Sequence, residues 1–355
     1  MIRLPLPFDV GSKARRPPST RYQGSKLKLL DWIWRNVREI PFQSALDAFG
    51  GTGVVSYLLK DRAKQVTYND SLKFNHLIGL ALIENSDAVL APDDLDAVLT
   101  KRRGRRYDDL ISRTFHDIYF TDDENDWLDV VSQNIPYLSD KYKRALAYFA
   151  LFQSCIAKRP YNLFHRKNLY LRTAEVKRGF GNKATWDKPF AEHFVAYAAE
   201  ANSAVFDSGV PCRAICRDAL EIPGRFDLVY IDPPYINRGG NGVDYLDFYH
   251  FLEGIAEYER WPERINRKRK HRPLIGERSP WSDPTRCRGA FVRLFDRFQE
   301  SVLVVSYRSD GIPSENELTD LLRKYKSDVS CMRYVQYKYV LSKNDDSHEL
   351  LLIGR

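Results

Sequence analysis

Five apolar runs of strand length punctuate the chain, and the first four end in residues that turn the backbone or stop a sheet ladder. Ala45-Leu46-Asp47-Ala48-Phe49 runs into Gly50-Gly51-Thr52-Gly53, Gln65 to Tyr68 into Asn69-Asp70, and Val210 to Cys216 into Arg217-Asp218-Ala219. The fourth, Phe226 to Ile231, runs into Asp232-Pro233-Pro234-Tyr235, and the fifth is Val302 to Tyr307. Between them the spacing changes to that of helices. Leu30, Ile33, Trp34 and Val37 repeat at helical spacing, a helix is expected through Val54, Val55, Tyr57, Leu58 and Leu59, and further helices are expected over Lys73 to Glu84, Tyr245 to Tyr258 and Ser314 to Tyr325. Tyr334 to Val340 with Leu350 to Ile353 suggests a closing hairpin. Strands alternating with helices predict a doubly wound α/β sheet, mostly parallel, with an antiparallel edge.

The pattern breaks for more than a hundred residues after Glu84. Strand-like runs vanish there, and Leu146, Phe149, Ala150 and Phe152 mark helical periodicity. We therefore expect an interrupted main domain, residues 1–85 and 206–355, with a mainly helical insertion at 86–205. Met1 to Pro18, which mix prolines with Lys13, Arg15 and Arg16, read as a loose basic arm.

Composition narrows the partner. The chain of 355 residues has 55 Lys and Arg against 47 Asp and Glu, a net charge of +8, which favours a polyanion. Five scattered cysteines without paired spacing argue against a disulfide framework and a zinc site, and we expect no metal. No apolar run approaches the roughly 20 residues of a membrane span, so the expectation is a soluble cytoplasmic protein. The positive charge is clustered. Lys101 to Arg106 and Arg264 to Arg272 are basic stretches, and Lys158-Arg159-Pro160-Tyr161-Asn162-Leu163-Phe164-His165-Arg166 continues through Asn168, Tyr170 and Arg172 to Phe180-Gly181-Asn182-Lys183. Arg and Asn pair bidentately with guanine and adenine edges, while Lys and His serve phosphates or water.

The chemistry gathers at the strand ends. Two prolines after Ile231 stiffen the corner and force the chain out of the sheet, where ligands of α/β proteins collect. An exocyclic base amine has its lone pair delocalised into the ring, and acceptors on its two hydrogens draw it toward tetrahedral geometry. Asp232 and the Pro233 carbonyl are such acceptors, and Tyr235 offers a stacking face. A plain strand-ending turn is the competing reading of the tetrapeptide alone. The glycine turn at 50–53, with Asp70 further on, suits a nucleoside-containing cofactor; a dinucleotide site would ask for GxGxxG where the chain has FGGTG. Asp218 is either an adenine-amine acceptor or a turn-initiating aspartate. Pro211-Cys212 pairs residues used in cytosine-C5 chemistry, but it lies within or before a strand, and Cys212 reads as core.

In that order, Phe49-Gly50-Gly51-Thr52-Gly53, Asn69-Asp70, Asp218 and Asp232-Pro233-Pro234-Tyr235 resemble the D12-class (Dam-like) adenine-N6 DNA methyltransferases. Arg21-Tyr22-Gln23-Gly24-Ser25-Lys26 looks like that family's N-terminal cofactor motif, and Ser306-Tyr307 with Gly311 like its late sheet motif. The insertion is similar to recognition regions of restriction-modification methyltransferases. The resemblance implies a class I, Rossmann-like methyltransferase sheet with an inserted DNA-recognition domain. It implies S-adenosylmethionine held by Tyr22, Lys26, Asp47, Phe49, Gly51, Gly53, Asp70, Asp218 and Ala219, and catalysis by Asp232, Pro233, Pro234 and Tyr235 on an adenine swung out of the duplex. It also implies contacts to double-stranded DNA by Arg159, Asn162, His165, Arg166, Arg172 and Lys183, made by a monomer compatible with a separately encoded endonuclease. Two rivals stand beside it: cytosine-N4 methylation, whose related motif carries Ser in place of Asp232, and a DNA-binding module without turnover.

Overall fold

Successive side chains of a strand point to opposite faces, so a strand apolar at every position must be covered on both sides. The computed structural model describes residues 15–176, 183–334 and 347–355, and its strands are covered in this way at the centre of the sheet and partly exposed at the two edges. They are β1 (Ser44–Asp47), β2 (Gln65–Asn69), β3 (Arg213–Ile215), β4 (Leu228–Ile231), β5 (Val302–Arg308), β6 (Val329–Tyr334) and β7 (Glu349–Gly354). They form one sheet in the order β3-β2-β1-β4-β5-β7-β6, parallel from β3 to β5, with β7 antiparallel to both β5 and β6. From β1 the chain builds outward through β2 and β3, then returns to add β4 and β5 on the other side. The crevice between β1 and β4 is therefore the switch point at which α/β sheets bind ligands.

Ala45, Tyr68, Tyr230, Val304, Leu351 and Ile353 enter one apolar core, and Leu46, Val229, Ile231, Leu303, Val305, Leu350 and Leu352 enter the other. The inserted residues join the first. The helix Lys141–Ala157 is buried at every position from Ala145 to Ala157, as befits a helix apolar all round. Phe152 meets the Phe74 ring edge-on at 5.8 Å, which joins this helix to Lys73–Gly79, while Phe194, Ala198 and Ala201 of helix Phe190–Ala204 belong to the same core. Among the described residues, 86–205 contain no strand.

Boundaries differ from the sequence reading where backbone chemistry intervenes. Only Arg213–Ile215 of the expected 210–216 strand pairs with β2, because Pro211 has no N–H to give the ladder. The expected helix over 73–84 is α-helical to Gly79 and then widens to a π turn, Leu80–Glu84. Ser314 lies outside its helix as the cap, accepting from Glu317 N, and the helix runs Glu315–Leu322. The closing pair begins at Val329 rather than Tyr334, and β7 slots between β5 and β6; residues 335–340 of the expected hairpin lie outside the described residues. So do residues 1–14 of the basic arm and Phe180-Gly181-Asn182. Among the described residues no helix is long and apolar enough to cross a membrane.

Candidate active site

The buried run Leu228–Ile231 delivers Asp232 to the switch point, and Pro233 is buried behind it. The Asp232 side chain retains 15% of its exposure and meets the Lys26 ammonium at 2.8 Å from each carboxylate oxygen. Burial pushes the Asp232 carboxyl up to about 6, the Lys26 charge opposing that rise and Glu349 adding to it. Lys26 is buried too, which works against its charge, yet Asp232 and Glu349 hold it well above the usual lysine range. It is a fixed cation. Gly24, at φ +86, lets the chain turn into this corner, where a side chain would strike the Tyr245 hydroxyl.

On the β1 side the chain leaves Asp47 through Gly51 at φ +50 and Gly53 at φ +72, and Gly53 heads the helix Val54–Asp61. Gly51 N donates to Asp70 at 3.0 Å, Leu72 N at 2.9 Å and Asn75 Nδ2 at 3.1 Å. Three of about four lone-pair positions of that carboxylate are thus used, leaving one for a ligand hydroxyl. Burial raises Asp70 to about 6 despite these donors, and Asp47 to about 7 despite Ser56 donating to it at 2.7 Å. Among the described residues, the other Asp47 oxygen, Oδ1, is buried with no well-aligned hydrogen-bond donor. Tyr22 lies nearly parallel to both Tyr249 and Tyr245, with ring centroids at 4.4 and 5.5 Å, and those two rings are themselves 6.3 Å apart.

These groups enclose a cleft of about 200 Å³. Of the expected site residues, Tyr22, Lys26, Asp47, Phe49, Gly51, Asp70, Asp232 and Pro234 line it together. Gly53 stands one layer back as the helix cap. Tyr235 is half-buried, its ring edge-on to Tyr307 at 5.0 Å and its hydroxyl turned to Asp232 Oδ1 at 2.8 Å. Asp218 and Ala219 are not in the wall: Asp218 is exposed and caps a short turn by accepting from Leu220 N, while Ala219 is in the core. Their segment is nevertheless tied to the end of β2 by paired hydrogen bonds between Asn69 and Arg217, each 3.1 Å.

Five acidic side chains line the cleft, Asp47, Asp70, Asp232, Asp244 and Glu277, against the one ammonium of Lys26, which suits a cationic ligand, and Phe49 packed edge-on to Trp281 at 4.8 Å adds an apolar wall for a planar ring. The site therefore fits S-adenosylmethionine, which combines a sulfonium, an ammonium, a ribose diol and a purine. Sequence reasoning did not find Trp281, Tyr245 or Glu349. Only Glu349 left a signal, an acid at the mouth of an apolar strand.

The expected DNA-contact residues divide. Arg159 is 1% exposed; it stacks on Tyr119 and Phe164 and donates to the carbonyls of Leu163, Tyr119 and Arg166 and to Asn168. Arg172 is 7% exposed and forms a two-pronged pair with Glu124 at 2.7 and 2.8 Å. These two arginines are not presented to a ligand, because folding spends their charge inside. Arg166 and Lys183 are exposed, and Asn162 and His165 are half-buried. Burial depresses the His165 imidazole, and its ring lies 5.2 Å from that of Phe248. Lys183 pairs with Asp187 one turn along its helix.

A second basic element stands beside them. Ile265 bridges Leu274, and Asn266 N donates to the Pro273 carbonyl at 2.8 Å, making a hairpin whose tip exposes Arg267, Lys268, Arg269 and Lys270. Among the described residues none of these four side chains is paired with an acid. The Tyr119 hydroxyl lies 2.5 Å from the Phe164 carbonyl oxygen and 2.7 Å from that of His271, so the two basic segments abut. Among the described residues there is no group of three or more His, Cys, Asp or Glu side chains arranged to hold a metal.

Comparison with known proteins agrees with this geometry. A family model described as D12 class N6 adenine-specific DNA methyltransferase matches residues 22–270. The type II methyltransferase M2.HphI of Haemophilus parahaemolyticus is 27% identical over 349 residues, covering 94% of this chain and 96% of that protein. The type II methyltransferase M.FokI of Planomicrobium okeanokoites is 27% identical over 330 residues, 86% of this chain and 47% of its own length. The modification methylase StsI of Streptococcus sanguinis is 26% identical over 356 residues, 93% of this chain and 51% of its own. The chain spans about half the length of these last two relatives.

Proposed function

Because the chain belongs to the D12 class of N6 adenine-specific DNA methyltransferases, we propose that its cleft holds S-adenosylmethionine on the β1 side and a target adenine at Asp232 on the β4 side. The activity of the class is transfer of a methyl group from S-adenosylmethionine to adenine N6 in DNA, and the relatives are methyltransferases of restriction-modification type. The observation that carries the assignment is that Asp232 lines the same cleft as Phe49, Gly51 and Asp70.

When bound, S-adenosylmethionine supplies an electrophilic sulfonium methyl. Asp70 takes the ribose diol with its remaining acceptor position, Tyr22, Phe49 and Trp281 supply apolar wall, and Asp47 faces the positive charge. Gly51 and Gly53 keep the turn close, and Lys26 keeps Asp232 ionised; Asp218 belongs to the exposed segment after β3, with Ala219 packed in the core behind it. Asp232 and the Pro233 carbonyl accept from the N6 hydrogens, drawing the lone pair out of conjugation. Transfer would form the N6–methyl bond as the sulfonium–methyl bond breaks, its electron pair staying on sulfur as a neutral thioether; N6 would become positive, and Asp232 would stabilise that charge and accept the proton N6 sheds. The Pro233-Pro234 corner supplies stiffness, and Tyr235 backs the base.

A base inside a duplex cannot reach this cleft, so the adenine is extruded at the cost of a few kcal/mol of stacking. We assign the surface of Asn162, His165, Arg166 and Lys183, with the hairpin Ile265–Leu274, to the DNA backbone and base edges; Arg159 and Arg172 brace it from within. Residues 86–205 are the target-recognition region in this reading. The enzyme works as a monomer protecting sites against a separately encoded endonuclease.

Labelled-methyl transfer to DNA followed by nucleoside analysis tests the assignment. N6-methyladenine is the expected product, abolished in Asp232→Ala without loss of DNA binding. N4-methylcytosine would replace the reading with its nearest rival, and no methylated nucleoside would overturn it.

A further inference from the structure

Behind Asp232 lies a second buried carboxylate that does not line the cleft. Glu349 opens β7 and is 0% exposed. Its Oε1 is 2.6 Å from the Tyr235 hydroxyl, 2.6 Å from the Ser306 hydroxyl and 3.6 Å from Lys26 Nζ. The same Tyr235 hydroxyl is 2.8 Å from Asp232 Oδ1. A phenol has one proton to donate, so it cannot satisfy both acids at once. Lys26 has three N–H donors and can serve both acids, but its single charge is shared between them, at 2.8 Å from Asp232 and 3.6 Å from Glu349. Ser306 supplies Glu349 with a donor of its own.

We propose that Glu349 is a positioning residue for methyl transfer: through Tyr235 and Lys26 it competes with Asp232 for a proton and a cation, leaving Asp232 a stronger acceptor for the target amine. The proposal rests on the assignment of Asp232 as that acceptor. Glu349 also pins the edge of the Tyr235 ring, and with it the surface that backs the base. Among the described residues, the charged and titratable groups facing Asp232 come from four elements besides its own corner. They are Lys26 from the segment before the first helix, Tyr230 from β4, Asp47 from β1 and Glu349 from β7, with Tyr235 three residues along. Burial makes the largest contribution to the raised Asp232 carboxyl; Lys26 and Tyr235 oppose it, and Glu349 adds to it.

Glu349→Gln tests this, since it keeps the size and an acceptor oxygen while removing the charge. The carboxyl of Asp232 is followed by infrared absorption against pH in the protein alone, identified as the band missing in Asp232→Asn. The expected result is that this band titrates at lower pH in Glu349→Gln than in the wild type. In methylation assays kcat is expected to fall about 10- to 100-fold, the scale of a small misplacement, while KM for DNA and for S-adenosylmethionine stays near wild type. Glu349→Asp keeps the charge but draws it back from Tyr235; it should leave the titration in place and still lower kcat. An unmoved titration in Glu349→Gln overturns the proposal, as does a loss in which kcat, both KM values and the thermal midpoint worsen together. The infrared experiment uses neither DNA nor cofactor, so it reports on Glu349 even if the product analysis rejects adenine N6.

Discussion

Arg159 and Arg166 stand seven positions apart in one basic segment, and the fold gives them opposite duties. Arg159 satisfies three carbonyls and an amide oxygen in a place water does not reach. Arg159→Ala would strand those acceptors, and about 3 kcal/mol of folding stability should be lost, measured by denaturant unfolding. Arg166 is exposed, and Arg166→Ala should leave unfolding unchanged while DNA binding weakens by about 1–3 kcal/mol. Equal stability of the two variants would show that Arg159 is not a brace. Sequence treats these residues alike because burial is decided by distant partners such as Tyr119 and Asn168. Asp232 was legible for the converse reason: a strand followed by two prolines fixes its surroundings locally. Glu349 acquires meaning only when β7 lies beside β5 and brings it to Ser306 and Tyr235.

At the level of elements, helices borrow what their own sequences lack. Leu72 precedes the helix Lys73–Gly79 and has no side-chain oxygen to cap it, so Glu253 of helix Tyr245–Ala256 accepts from Lys73 N and Phe74 N at 3.0 Å each. Burial pushes this carboxyl up to about 7 from an ordinary 4.5. The folded protein therefore holds the proton more tightly than the unfolded chain, and the associated stability is present at low pH and lost as pH rises from 4.5 through 7. Glu253→Gln should flatten that loss. Between pH 5 and pH 8 the variant should lose about 2 kcal/mol less than wild type in chemical unfolding, and parallel curves would assign the pH dependence to other acids. The basic hairpin makes a separate prediction. Replacing Arg267, Lys268, Arg269 and Lys270 by Ala should lower the slope of log K against log salt for duplex DNA by about 3.6, near 0.9 for each of four phosphate contacts. An unchanged slope would remove the hairpin from the DNA surface. Its existence was hidden in the sequence because Ile265 and Leu274 make only one bridge around a charged run.

The order of strands lies beyond any local pattern, since the alternation of strands and helices is compatible with several windings and says nothing of β7 entering between β5 and β6. What could be read was the class of sheet and the end of it at which the cleft lies. The insertion is the more instructive part at this scale. Its long polar and basic stretches suggest a unit set apart, yet its apolar residues are committed elsewhere: Leu146, Phe149, Phe152, Phe194 and Ala198 share one core with Val66, Tyr68, Phe74 and Tyr249. Removing the helix Lys141–Ala157 from that face would expose both partners, so neither the sheet nor the insertion can melt without the other. Scanning calorimetry should accordingly show one endotherm with equal calorimetric and van't Hoff enthalpies, and near-UV dichroism should fall over the same interval as far-UV dichroism. Two resolved endotherms would mean that residues 86–205 are held more loosely than this shared core implies. A single one would mean that a DNA contact made on the insertion bears on a body continuous with Asp232, with no hinge between the surface proposed to select a site and the corner proposed to accept its adenine.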